Sequence, residues 1–324
     1  MISRLKGALD PYILALLTTM VAATLFPARG AAVTVFAVAA DIAIVLLFFF
    51  HGAKLSRDAI LAGAGNWRLH VAVLAATFAI FPALGLLAAC TPGLPPVVAS
   101  GVVFLTLLPS TVQSSIAFTS IARGNVAAAV CSASFSNLLG IFLTPLLVAL
   151  LMGAHGASIS WDAVEKICLQ LLLPFVAGHL LRPVIGGFVS RHRALISYSD
   201  RGSILIVVYS AFSAAVVGGL WQRMPPQVVA LILLVSALIL ALILAITWML
   251  GRALHLSRED AIVLLFCGSK KSLATGVPMA GVLFAPALVG VMILPLMLFH
   301  QLQLIACAVI ARRFARADET AGSA

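Results

Sequence analysis

The chain has 324 residues, of which 63% are hydrophobic and 9% charged, far from the roughly half apolar and quarter charged mix of a soluble domain. That balance excludes an aqueous globular fold, whereas in a bilayer the length accommodates about ten helices of roughly 20 residues. The formal charge of +10 does not point to nucleic acid, because the basic residues are scattered over short connections rather than gathered in a stripe.

Apolar runs between charged or Pro/Gly punctuation predict spans near 10–27, 33–53, 69–90, 97–122, 125–152, 164–185, 202–221, 227–252, 260–284 and 287–311. The opening segment carries Arg4 and Lys6 ahead of an apolar run with small residues after it, as a secretory signal does. The run is longer than a typical signal core, so a retained first helix is expected. Only helices or closed barrels satisfy their backbone in lipid, and these runs are continuous rather than alternating. The fold class is therefore all-α integral membrane. One polytopic domain is expected, with one repeat over about 10–152, a second over about 164–312, and 313–324 as a polar tail.

Loop charges orient the spans. With a cytoplasmic N-terminus the inner connections and ends hold Arg4, Lys6, Lys54, Arg57, Arg68, Arg123, Arg182, Arg191, Arg193, Arg201, Arg252, Arg258, Arg312, Arg313 and Arg316, and the outer ones only Arg29, Lys166 and Arg223. This bias is the positive-inside rule for an even number of spans with both termini in the cytoplasm, and it implies a multi-pass protein of the inner membrane. Five helices per half would place the first helix of each half in opposite directions, the condition for an inverted repeat.

Two spans carry polar clusters punctuated by Pro or Gly: LPSTVQSSIAFTS in the fourth and FCGSKKSLATGVPM in the ninth. Interrupted helices at matching places in two halves point to a transporter binding site, because unwound backbone is tolerated at membrane depth only where protein or a cavity satisfies it. The plainer reading is close helix packing through small residues.

Three formal charges lie deep in spans: Asp41, Lys270 and Lys271. Each costs roughly 2.5–3.5 kcal/mol at a helix centre, so each needs compensation. Asp41 is expected to be buried, pairing with one lysine or lining a cavity. A break at Gly268 would set both lysines at the start of a new half-helix whose free N–H groups favour an anion. Ser269, Ser272 and Thr275 supply hydroxyls there, opposite Ser110, Thr111, Gln113, Ser114 and Ser115, with Ser132, Ser134, Ser136 and Asn137 on the fifth span. His300, Gln301 and Gln303 on the tenth suit an interhelical hydrogen bond or a ligand contact. Cys90, Cys131, Cys168, Cys267 and Cys307 are odd in number and far apart, and are read as packing residues.

At these clusters LPSTVQSSIAFTSIARGN, SASFSNLLGIFLTPLL, FCGSKKSLATGVPMA and LPLMLFHQLQLIACAVIARR resemble the bile acid:sodium symporter family, in its branch similar to sodium/bile acid cotransporter 7, over nearly the whole chain. The resemblance implies ten transmembrane helices, a core domain with crossed discontinuous fourth and ninth helices, a panel domain of the first, second, sixth and seventh, and substrate between them. It also implies a sodium site near Ser114, Ser115, Ser132, Ser136 and Asn137. The family's acidic and amide ligands of the ninth helix are replaced here by Cys267, Gly268, Ser269, Lys270 and Lys271, which puts sodium coupling in question because like charges repel strongly in a low dielectric.

The leading expectation is a secondary transporter of small organic anions that alternates access, independent of sodium or linked to protons. Its substrate-binding residues would be Lys270, Lys271, Ser269, Ser272, Thr275, Thr111, Gln113, Asp41 and His300. The expected partners are a small organic anion and the lipid bilayer, with no nucleic acid, no catalytic residue and no cofactor beyond the sodium in question. Two other classes remain open: a membrane regulator of ion or envelope homeostasis without solute flux, and an intramembrane hydrolase in which a lysine activates a serine.

Overall fold

The computed structural model of the chain describes residues 11–54, 65–152, 165 and 168–321. Arg4, Lys6, Arg57 and Lys166, which enter the charge count above, lie outside them. Among the described residues all regular structure is helical. The first part of the chain forms α1 (Pro11–Leu25), α2 (Ala31–Lys54), and α3 (Trp67–Ala75), which passes through a π turn at Ala76–Ile80 into α4 (Phe81–Ala89). Then come α5 (Pro96–Leu107), α6 (Gln113–Ile121) and α7 (Val126–Met152). A second π turn, Cys168–Leu172, opens α8 (Leu173–Arg191), followed by α9 (Arg193–Val217), the single turn α10 (Leu220–Arg223) and α11 (Pro226–Ala253). The chain ends with α12 (Arg258–Gly268), α13 (Leu273–Leu283) and α14 (Pro286–Ala321).

Among the described residues, seven helical stretches are long and apolar enough to cross a membrane. The other three expected spans fall on α1 and on two pairs of shorter helices, α5 with α6 and α12 with α13. Residues 313–321, read from sequence as polar tail, continue α14 instead. The segment from Arg313 to Ala321 has neither Gly nor Pro to stop a helix, and three of its residues are alanine.

The outer surfaces are those of a membrane protein. On α11 the residues Leu234, Leu238, Leu242 and Met249 are more than half exposed, while Ile232, Val235, Ile239 and Ile243 on the other face are buried. Exposed leucines recurring every four residues make an apolar stripe that water would penalise and lipid would not.

The chain divides into two compact units. One contains α1, α2, α8, α9, α10 and Val277–Ile293. Its tightest contact joins α2 to α8 through reciprocal glycines. A Cβ added at Gly52 would sit 2.0 Å from the Phe175 carbonyl oxygen, and one at Gly178 would sit 1.9 Å from that of Phe49. Two backbones approach this closely only where side chains are absent, which is how helices associate in lipid. Lys54 of α2 pairs with Asp200 of α9, and Tyr209 donates to the Phe26 carbonyl at 2.7 Å.

The other unit contains α3 to α7, α11, α12, residues 273–276 and α14 from Leu294 onward. One carboxylate ties three of its helix starts together. Asp260 accepts from Asn66 Nδ2 at 2.8 Å and from Asn125 Nδ2 at 3.0 Å. Asn66 caps α3 by accepting from Leu69 N–H, Asn125 accepts from Ala128 N–H at the start of α7, and Ser257 caps α12 by accepting from the N–H of Asp260 itself. Each cap satisfies N–H groups that a helix start leaves without partners, and the negative charge suits three converging dipole ends. This clamp fixes where α12 begins.

Candidate functional site

The helix that starts at Pro96 stops at Leu107 because Leu108 precedes Pro109, which disfavours helical geometry at the preceding residue. Leu108 is extended, with ψ 156. Five consecutive carbonyls around the break need donors from elsewhere, and each has one. Lys271 Nζ donates to Thr106 O at 2.7 Å and to Leu108 O at 2.8 Å. Thr144 Oγ1 donates to Leu107 O at 2.8 Å, Ser272 N–H to Pro109 O at 2.9 Å, and Asn137 Nδ2 to Ser110 O at 2.7 Å. Leaving any of these carbonyls without a donor in this buried setting would cost on the order of 1–3 kcal/mol.

The second break, at residues 269–272, meets the first. α12 ends at Gly268, and α13 begins where the Ser272 hydroxyl accepts the Thr275 N–H at 3.2 Å, an N-cap. Carbonyls at the end of α12 receive hydroxyl donors from the first break: Ser110 Oγ to Cys267 O at 2.5 Å and Ser115 Oγ to Phe266 O at 3.1 Å. Within the break, the Gln303 amide pairs with the Lys271 peptide in both senses, accepting its N–H and donating to its C=O, each at 2.9 Å. The amide replaces the helical hydrogen bonds that the break removes.

Lys271 is fully buried. Its third donor bond runs to Thr77 O at 2.8 Å. That carbonyl is available for a local reason. In the π turn the Phe81 N–H bonds to Ala76 O, so the next N–H in register would come from position 82, which is proline and has none. The ammonium has three donors, and three carbonyls fill them, one from the π turn between α3 and α4 and two from the end of α5 and its break. Its charge also lies 4.1 Å from the Phe81 ring centroid.

The neighbouring Lys270 is equally buried but differently placed. Among the described residues its Nζ has no hydrogen-bond partner, and it rests 4.1 Å from the Phe118 ring centroid and 5.4 Å from that of Phe266. Phe118 and Phe266 belong to an apolar cluster with Ala122, Ile262, Leu265, Cys307 and Ala311. Adjacent residues on a regular helix point about 100° apart, and the break keeps the two ammonium groups in separate environments.

Most of the residues singled out from sequence lie at these breaks, though largely as structural donors and acceptors. Ser269 donates to Leu265 O in its own helix, Ser272 pairs with Thr275 at 3.0 Å, and Thr275 donates to Asn137 Oδ1 at 3.0 Å. Thr111 Oγ1 lies 2.6 Å from Ser114 Oγ and 3.1 Å from Ser115 Oγ. Gln113 is exposed at the start of α6, and His300 Nδ1 lies 2.7 Å from Gln303 Nε2. Asp41 corrects the expectation of burial: it is exposed on α2. Lys271 needs no carboxylate, since carbonyls fill its three donor positions.

The oxygens assigned to sodium make hydrogen bonds within the protein. Ser136 Oγ accepts the Ser110 N–H at 2.9 Å, Ser132 Oγ is 2.8 Å from His70 Nδ1, and Asn137 bridges Ser110 and Thr275. No Asp or Glu occurs between Asp260 and Asp318 in the sequence, and the Lys271 ammonium lies on a different set of oxygens, the Thr106 and Leu108 carbonyls. A hydrolase would pair a lysine with a serine, whereas the acceptors of Lys271 Nζ are carbonyls and Lys270 Nζ has no hydrogen-bond partner among the described residues. Sequence reasoning missed Thr77 and the roles of Gln303 and the Asp260 clamp. Pro82, five residues after Thr77, was the available signal for the first.

Comparison with known proteins places this architecture. The profile of the SBF-like CPA transporter family matches residues 10–316. The chain belongs to that family. It is 56% identical over 327 residues to an uncharacterised protein of Pseudomonas aeruginosa, covering 99% of this chain and 98% of the relative. It is 54% identical over 318 residues to YfeH of Escherichia coli K12, provisionally named a symporter, covering 98% and 96%. Sodium/bile acid cotransporter 7 of Mus musculus is 24% identical over 277 residues, covering 83% of this chain and 81% of the relative. The resemblance to the bile acid:sodium symporters is thus borne out for a multi-pass membrane protein.

Proposed function

We propose that this family member is a secondary transporter of small organic anions in which a fixed ammonium, that of Lys271, stands where a cation-coupled relative would hold its ion. The observation that carries this reading is the cage of Thr77, Thr106 and Leu108 carbonyls at 2.7–2.8 Å around Lys271 Nζ. Carbonyl oxygens released by helix breaks are the donor set with which transporters bind small cations. A positive charge held there offsets an incoming anion without a travelling ion, so transport is expected to run without sodium. Alternating access would then move the two interrupted helices against their surroundings, and proton linkage is the remaining means of coupling. Support for a ten-helix inverted repeat comes from the two breaks, one in each half of the chain. The loop charge bias supports cytoplasmic termini. Gln113 and His300 remain proposed substrate contacts, being exposed or partly so.

The test is uptake by purified protein in liposomes, with radiolabelled taurocholate as probe because a relative's name refers to bile acid. Choline and sodium buffers are compared across a pH series, with Lys270→Ala and Lys271→Ala beside the parent. Sodium-indifferent uptake in the parent that Lys271→Ala abolishes supports the proposal. A steep sodium requirement retained in both variants overturns it.

A further inference from the structure

A second site lies away from the breaks, at the start of α3 and the end of α11. A groove of about 450 Å³ runs between these helices, with apolar walls that include Val71, Ala75, Leu250 and Leu254. At its mouth stand Trp67, Arg68 and His255, all exposed. We infer that this groove binds one anionic phospholipid, with an acyl chain along the walls and the phosphate-bearing headgroup between Arg68 and His255.

The placement of the two basic residues carries the argument. Arg68 is the second residue of α3 after the Asn66 cap, at the positive end of the helix dipole, where a cation is disfavoured. His255 closes α11 in left-handed geometry, with φ 52. The turn has the hydrogen bonds of a Schellman motif, His255 N–H to Arg252 O at 3.0 Å and Leu256 N–H to Gly251 O at 3.1 Å, and its left-handed position ordinarily goes to glycine. A helix C-terminus favours a basic residue type at position 255, but it does not explain Arg68 opposite. Both are accounted for by an anion between them.

The remaining lining fits a lipid rather than a soluble anion. Trp67 is two-thirds exposed, a residue type suited to the headgroup level, and the Arg68 guanidinium lies 6.0 Å from its ring centroid. The aliphatic walls offer a free phosphate nothing, whereas they match an acyl chain. Basic grooves between membrane helices bind anionic headgroups in this way.

The experiment is native mass spectrometry of the full-length protein in non-ionic detergent, titrated separately with palmitoyl-oleoyl phosphatidylglycerol, the matched phosphatidylcholine, and glycerol phosphate. The parent is expected to prefer phosphatidylglycerol over phosphatidylcholine and to retain no glycerol phosphate. Arg68→Gln should weaken phosphatidylglycerol binding about fivefold, and adding His255→Gly should abolish the preference. Ala75→Trp should weaken both lipids by filling the groove. Because glycine suits the left-handed position, the His255→Gly protein should melt no lower than the parent, which separates lost binding from lost folding. Equal affinity of the parent for the two lipids, a preference that survives in the folded double variant, or glycerol phosphate binding as tightly as the phosphatidylglycerol would each overturn the inference.

Discussion

Replacing the two adjacent lysines one at a time by methionine, which has a similar length and no charge, should change stability in opposite directions. Lys271→Met removes three hydrogen bonds and leaves the Thr77, Thr106 and Leu108 carbonyls without those donors. At about 1–3 kcal/mol for each orphaned buried group the loss is of order 6 kcal/mol. The parent also bears a desolvation penalty for the ammonium of roughly 2.5–3.5 kcal/mol, which the variant no longer bears. The net effect is destabilisation by about 3 kcal/mol. Lys270→Met loses no hydrogen bond, since the Nζ makes none, and gives up only its contacts with Phe118 and Phe266. Those are worth about 2 kcal/mol when desolvated, against the same penalty removed, so this variant should be more stable by about 1 kcal/mol. At about 2 °C per kcal/mol for a chain of this size, the two melting midpoints should differ by roughly 8 °C. Size-exclusion thermostability in detergent reads this directly. If both variants shifted the same way by similar amounts, the distinction between a caged and an uncaged ammonium would be wrong.

The glycine contact between α2 and α8 predicts that Gly178→Ala lowers the melting midpoint by several degrees, because its Cβ would fall 1.9 Å from the Phe49 carbonyl oxygen. Gly187→Ala, on the same helix with nothing within 4 Å, should raise it slightly through helix propensity, and a reversed order would remove the case for backbone contact. Asp260→Ala frees two asparagine amides at once and should cost about 2–4 kcal/mol, while Asn66→Ala should cost about 1 kcal/mol. Equal melting of these two variants would mean that the carboxylate does not join the three helix starts.

Much of the site was legible in the sequence, and the reasons are local. Pro109 and Gly268 mark where two spans are interrupted, and Lys270 and Lys271 announce themselves as charges in apolar runs. Which lysine is caged was not legible, because the acceptors come from positions 77, 106 and 108, and a sequence pattern does not reveal carbonyls left free by backbone register. The same limit hid the Asp260 clamp, whose partners are 194 and 135 residues away. Asp41 was misjudged for a different reason. Its helix is apolar on every side, so no polar face shows which way a single carboxylate points, and the need of the lysines for a partner suggested a burial that the backbone carbonyls make unnecessary.

The claim that Lys271 stands for a bound cation is tested most directly by removing the ammonium and returning a cation from solution. Lys271→Ala leaves the carbonyl cage without its charge, and its melting midpoint can be measured in choline, sodium and methylammonium chloride at equal ionic strength. The account predicts a parent indifferent to the cation and a variant that recovers stability in methylammonium or sodium but not in choline, which is too large for the cage. A parent stabilised by sodium over choline, or a variant that no small cation restores, would contradict it.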